Sequence, residues 1–138
     1  LGDVYKRQVL TPGSEGSTFG GYPLASVVGT YAIKVLVEEQ LANNANIQGE
    51  YLMTHLNSLM DEFPDKIKEV RGKGLLTAFE MHDDPKLDGH AVSVGLLNQG
   101  VYAKETHHTT VRLAPALTIN KNQIDSLVSA IRQVIKDL

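Results

Sequence analysis

From Pro23 to about Asn43, apolar residues recur at spacings of three and four: Leu24, Val27, Val28, Tyr31, Val35 and Leu36. That period predicts a helix carrying one apolar stripe. Gly29 sits inside it at a cost of about 1 kcal/mol against alanine, and marks a candidate close packing contact. The pattern pauses at Ala42-Asn43-Asn44-Ala45-Asn46, where a short break or bend is expected. It resumes through Ile47, Tyr51, Leu52, His55, Leu56, Leu59 and Phe63, and Pro64-Asp65 stops it.

Beyond Pro64 the pattern turns to β character. Ile67 to Arg71 predicts a short strand, and Gly72-Lys73-Gly74 a turn or bulge. Leu75 to Met81 is apolar without polar alternation, which predicts a well-buried strand, closed by His82-Asp83-Asp84-Pro85. Asp88 is placed to cap a helix carrying Ala91, Val92, Val94, Leu96 and Leu97, with Gly100 ending it. Val101 to Lys104 predicts a third strand, Glu105 to Thr109 a loop, and Thr110 to Ala114 a fourth strand before Pro115. Asn120 with Gln123 forms a capping-box pattern for a last helix, whose stripe is Ile124, Leu127, Val128, Ile131, Val134 and Ile135. Helix, helix, strand, strand, helix, strand, strand, helix: short strands mixed with covering helices argue an α+β layer.

Composition narrows the function classes. The 138 residues suffice for one domain with a real core. A net charge of −3 implies no broad basic surface for nucleic acid. No apolar run is long enough to cross a membrane, and no secretory signal is visible. The absence of cysteine removes disulfides and thiolate metal sites and fits an intracellular protein; the choice between cytoplasm and mitochondrial matrix rests on residues upstream of these. Residues 1–8 show neither amphipathic period nor turn chemistry. They read as a non-native lead, and the chain as a piece of a longer one.

Candidate chemistry gathers in two stretches. In Glu15-Gly16-Ser17-Thr18-Phe19-Gly20-Gly21-Tyr22-Pro23-Leu24, two hydroxyls sit among glycines just before a helix that proline opens. Free N–H groups and the dipole at such a start favour an anion, so the loop suits phosphate; a plain helix start fits the same residues. The second stretch is Thr109-Thr110-Val111-Arg112-Leu113-Ala114-Pro115. A guanidinium on so apolar a strand either pairs a planar carboxylate or points to solvent from an edge. His107 and His108 adjoin on an extended loop and point apart, which does not make a metal site. Lys73, between two glycines, reads as a solvated turn residue.

Taken together and in order, three motifs resemble the C-terminal part of class III, pyridoxal-phosphate-dependent aminotransferases. Gly16-Ser17-Thr18-Phe19-Gly20-Gly21 with Pro23-Leu24 is similar to their Gly-Ser/Thr-Thr-Phe/Tyr-Gly-Gly-Asn-Pro-Leu segment. Val70-Arg71-Gly72-Lys73-Gly74-Leu75-Leu76 resembles their Val-Arg-Gly-Lys-Gly-Leu, and Val111-Arg112-Leu113-Ala114-Pro115 with Leu117 their Ile-Arg-Phe/Leu-x-Pro-Pro-Leu. Pro12 to Gly16 and Ala103 to His107 are most similar to the ornithine aminotransferase branch.

The resemblance implies a small C-terminal domain of a fold-type I transferase, with a short, mainly antiparallel sheet covered by helices and preceded by a long helix. Residues 9–43 would be the phosphate loop and linking helix, and residues 44–138 the small domain. It implies that Thr18, with Ser17 beside it, binds the phosphate of pyridoxal phosphate across a homodimer with shared active sites. It implies that Arg112 binds a substrate carboxylate. The reaction would move the δ-amino group of ornithine to a 2-oxo acid such as 2-oxoglutarate. The Schiff-base lysine belongs upstream in the family, so no catalytic residue is assigned here and these residues alone would be inactive. Tyr22, Ala116 and His108 depart from the family's usual Asn, Pro and Gly. Two alternatives stay open: a relative using acetylornithine or 4-aminobutyrate, and a non-catalytic anion-binding or dimerisation module.

Overall fold

The computed structural model describes residues 13, 16–84 and 88–138. The lead over residues 1–8, the loop residues 9–12, 14 and 15, and Pro85 lie outside the described residues. The chain divides into two compact units, Leu1–Glu38 and Glu39–Leu138.

The first unit carries helix α1, Pro23–Glu38. The Tyr22 carbonyl accepts from the Ser26 N–H at 3.0 Å, and Pro23 takes the first helical position, where its missing N–H costs nothing. No residue of α1 is buried. The expected stripe is present, but Ile33 and Val37 are exposed as well, so the apolar surface is not confined to one side. A Cβ on Gly29 would meet nothing within 4 Å among the described residues.

The second unit begins with α2, Leu41–Glu62. The chain breaks earlier than the asparagine run suggests: Gln40 takes a left-handed φ of 51°, and Asn43 to Asn46 are helical. Asn44 explains the difference. Its Nδ2 donates to the carbonyls of Leu117 at 2.6 Å and Ile119 at 3.1 Å, so it ties the first turn of α2 to a distant segment.

Strands β1 (Ile67–Lys73) and β2 (Leu76–Met81) form an antiparallel hairpin closed by Gly74 and Leu75. Gly72 and Lys73 stay in the strand, and the turn comes one step later than expected, where Gly74 supplies a φ of +56°. The register irregularity lies between Ile67 and Glu69 instead. Gly49 of α2 packs directly behind this turn, and a Cβ there would overlap the Gly74 backbone. β2 also differs from its sequence pattern. It alternates, with Thr77, Phe79 and Met81 buried, Leu76 exposed and Ala78 and Glu80 half-buried.

Helix α3 (Gly89–Asn98) is capped as expected, with the Asp88 side chain accepting from the His90 N–H at 2.9 Å. The next strand, β3, is Lys104–Thr106 and starts later than expected, because the Val101 N–H donates to the Leu96 carbonyl at 2.8 Å and holds that segment at the helix end. His107 and His108 form a tight hairpin turn with φ of 56° and 62°, not an extended loop. The His108 carbonyl accepts from the Gly89 N–H at 2.8 Å, which docks the turn on the start of α3. β4 is Thr110–Leu113, and α4 is Lys121–Asp137 with the capping box of Asn120 and Gln123 formed.

The sheet order is β1-β2-β4-β3, antiparallel throughout. Its inner face presents Phe79, Met81, Val111 and Leu113 to Leu52, Leu56 and Leu59 of α2, Val92 and Leu96 of α3, and Ile124, Ile131 and Ile135 of α4. The result is the α+β layer the element order predicts. The outer face is charged. Lys68 donates to one Glu80 carboxylate oxygen at 2.7 Å and Arg71 to the other at 2.7 Å, while Arg71 also meets Glu69 at 2.9 Å. These hydrogen bonds, first from Lys68 and then from Arg71, hold the Glu80 carboxyl below its ordinary pKa.

Two outcomes are expected. Gly49→Ala should destabilise by about 1–3 kcal/mol despite the better helix propensity of alanine, because the helix and the turn have no room for a methyl group; urea denaturation of both proteins measures it. Glu80→Gln should cost stability at neutral pH. Since the folded-state pKa of Glu80 is depressed, its contribution is present above the ordinary carboxylate range and lost as pH falls through the depressed value. The gap between wild type and variant should therefore close on acidification, read from melting curves between neutral and acid pH.

Candidate functional site

The candidate phosphate loop is a tight run of turns. The Ser17 carbonyl accepts from the Gly20 N–H at 3.2 Å, and the Phe19 carbonyl from the Tyr22 N–H at 3.1 Å. Gly21 carries the positive φ, 76°, that lets the chain enter α1. Ser17 and Thr18 are adjacent, exposed, and without side-chain hydrogen-bond partners among the described residues. Tyr22, which departs from the family's asparagine, starts the helix through its backbone, so that substitution leaves the turn in place.

The cofactor implied by the resemblance ends in a phosphate dianion. Two unengaged hydroxyls, together with first-turn N–H groups that no helical carbonyl can serve, are a donor set that fits such a group.

Arg112 lies in the second unit, on β4. That strand is interior, between β2 and β3, so Arg112 is not the edge-strand residue considered above. Its neighbours Val111 and Leu113 face the core, and it projects from the opposite face, exposed. Directly across from it stand Ala78 on β2 and Lys104 on β3. Among the described residues Arg112 has no ion-pair or side-chain hydrogen-bond partner. Glu80, the nearest carboxylate along β2, is already taken by Lys68 and Arg71. The guanidinium is therefore a free fork on a rigid strand, suited to an external carboxylate. The two candidate halves belong to different units, and each stands on its own geometry.

The Lys68–Arg71–Glu80 cluster escapes a reading of the sequence that takes β2 as uniformly buried. The signal that could have found it is the two-residue period of Leu76, Ala78 and Glu80 against Thr77, Phe79 and Met81. Arg71 additionally reaches across β2 to the Thr110 hydroxyl at 3.4 Å. It lies in the same cross-strand row as Ala78, Arg112 and Lys104.

Comparison with known proteins agrees with these motifs. The family model described as Aminotransferase class-III matches residues 3–135. Among curated relatives, the mitochondrial ornithine aminotransferase of Arabidopsis thaliana is 40% identical over 129 residues, covering 92% of this chain and 27% of its own length. Among solved structures, acetylornithine aminotransferase from Elizabethkingia anophelis matches with a TM-score of 0.82 at 36% identity, over 96% of this chain and 34% of that one. The ornithine aminotransferase of Toxoplasma gondii, crystallised with oxidised glutathione and with pyridoxal phosphate at partial occupancy in its active site, matches with a TM-score of 0.81 at 35% identity, over 94% of this chain and 30% of that one. The chain thus spans about a third or less of the proteins it matches. With the glycine-rich turn, the free arginine strand and the small antiparallel sheet in place, the chain belongs to the class III aminotransferases.

Proposed function

We propose that this chain is the C-terminal part of a pyridoxal-phosphate-dependent ornithine aminotransferase, which moves the δ-amino group of ornithine to a 2-oxo acid such as 2-oxoglutarate. The observation that carries the reading is Arg112: an exposed guanidinium on an interior strand, with no anion to satisfy it among the described residues.

Arg112 takes a substrate carboxylate in a fork-to-fork pair and fixes the direction in which the substrate's carbon chain runs. Thr18 and Ser17 donate to the cofactor phosphate of the neighbouring subunit, aided by the start of α1. Pyridoxal phosphate, when bound, supplies the electron sink for the substrate's carbanion chemistry. Helix α1, exposed and apolar on several sides, packs against the large domain and completes a homodimer with shared active sites. The Schiff-base lysine lies outside these residues; Lys73 is an exposed residue at the end of β1 and does not take that role.

The likeness to acetylornithine aminotransferase favours one second reading, in which the amino donor is acetylornithine. An amino-donor screen of the complete enzyme separates the two.

In the complete enzyme, Arg112→Met should lower kcat/KM for the oxo acid by roughly tenfold to a thousandfold, mostly through KM. Thr18→Val should weaken cofactor retention by about tenfold, measured by equilibrium dialysis, with the oxo-acid KM little changed. The 138-residue chain alone should show no transamination above background in a coupled glutamate assay. Measurable turnover there would contradict the assignment of the lysine elsewhere.

A further inference from the structure

The Lys68–Arg71–Glu80 cluster binds no part of the substrate in the reading above, yet it shares a sheet face with Arg112. Glu80 on β2 stands opposite Thr110, and Arg112 is two residues further along β4. Residues on that diagonal lie about 7–8 Å apart, a gap that long side chains span. Glu80 is thus placed to neutralise Arg112, but no ion pair joins them among the described residues.

Two cations hold Glu80 elsewhere. Lys68 Nζ donates to one carboxylate oxygen and Arg71 Nη1 to the other, each at 2.7 Å. The same Arg71 nitrogen donates to Glu69 at 2.9 Å, and Glu69 is directly opposite Glu80 in register. One guanidinium nitrogen therefore reconciles two carboxylates that would otherwise repel across the strands. Arg71 Nη2 reaches on over β2 to the Thr110 hydroxyl of β4 at 3.4 Å. Ala78, its partner on β2, is small enough to let it cross.

We propose that Arg71, assisted by Lys68, is a positioning residue that draws Glu80 toward β1 and so keeps the Arg112 guanidinium open to the substrate's carboxylate. This rests on the assignment of Arg112 as the carboxylate site. Without Arg71, Glu69 repels Glu80, and Glu80 turns to the next cation on the face, which is Arg112. An ion pair within the sheet then competes with the substrate.

The test is steady-state kinetics of the complete enzyme at neutral pH. Arg71→Met should raise the oxo-acid KM about two- to fivefold with kcat little changed. Adding Glu80→Gln should return KM to the wild-type value, while Glu80→Gln alone should leave it unchanged. Arg71→Lys, which keeps a cation on Glu80, should stay near wild type. If Arg71→Met does not fold, Lys68→Met, at an exposed residue, takes its place in the same comparison. Three results would overturn the positioning role and leave Arg112 in place: an unchanged KM in Arg71→Met, a rise that Glu80→Gln does not reverse, or an equal fall on Glu80→Gln with and without Arg71. If Arg112→Met leaves the oxo-acid KM unchanged, the carboxylate site itself is misplaced and both assignments fall.

Discussion

The register of β2 against its two neighbours is the constraint on which the second unit depends. Thr77, Phe79 and Met81 face the helices only because Phe79 stands opposite Val70 on one side and Val111 on the other. A slip of one residue would turn that set to solvent and drive Ala78 and Glu80 into the core. The same pairing puts Arg112 opposite Ala78 on the outer face, so the core and the candidate site are fixed by one set of backbone hydrogen bonds. The Gly49–Gly74 contact adds to it: the hairpin turn can sit against α2 only where Gly49 carries no side chain, and Gly74 supplies the positive φ of the turn.

Much of this was legible in the sequence, because strong local chemistry decides it. The capping box at Asn120 and Gln123, the cap at Asp88 and the stripe of α4 are short-range signals, and each formed as read. What misled were places where a distant partner overrides the local pattern. Asn44 looks like a helix breaker and is one of the best-anchored residues of α2, through carbonyls more than seventy residues away. His107 and His108 take left-handed backbone conformations that glycine would adopt more easily, held by a hydrogen bond from the start of α3. Leu75 to Met81 read as buried on both sides, since Glu80 is one polar residue at a strand end, and its ion pairs come from another strand.

Ser17, Thr18 and Arg112 are candidates chosen by motif order; the structure adds that Arg112 is on an interior strand with no ion-pair partner among the described residues. The charged row around it could not be read from spacing, because Arg71, Ala78, Arg112 and Lys104 become neighbours only through sheet pairing. Helix α1 shows the opposite case. Its sequence predicts the helix correctly, yet none of its apolar side chains is buried among the described residues.

The most direct test of the central claim is a crystal structure of the complete enzyme with glutarate bound. The expected result is one carboxylate in a two-point pair with the Arg112 guanidinium, on the sheet face away from α2, α3 and α4. A bound ligand held elsewhere, with Arg112 in solvent or paired to a protein carboxylate, would contradict it.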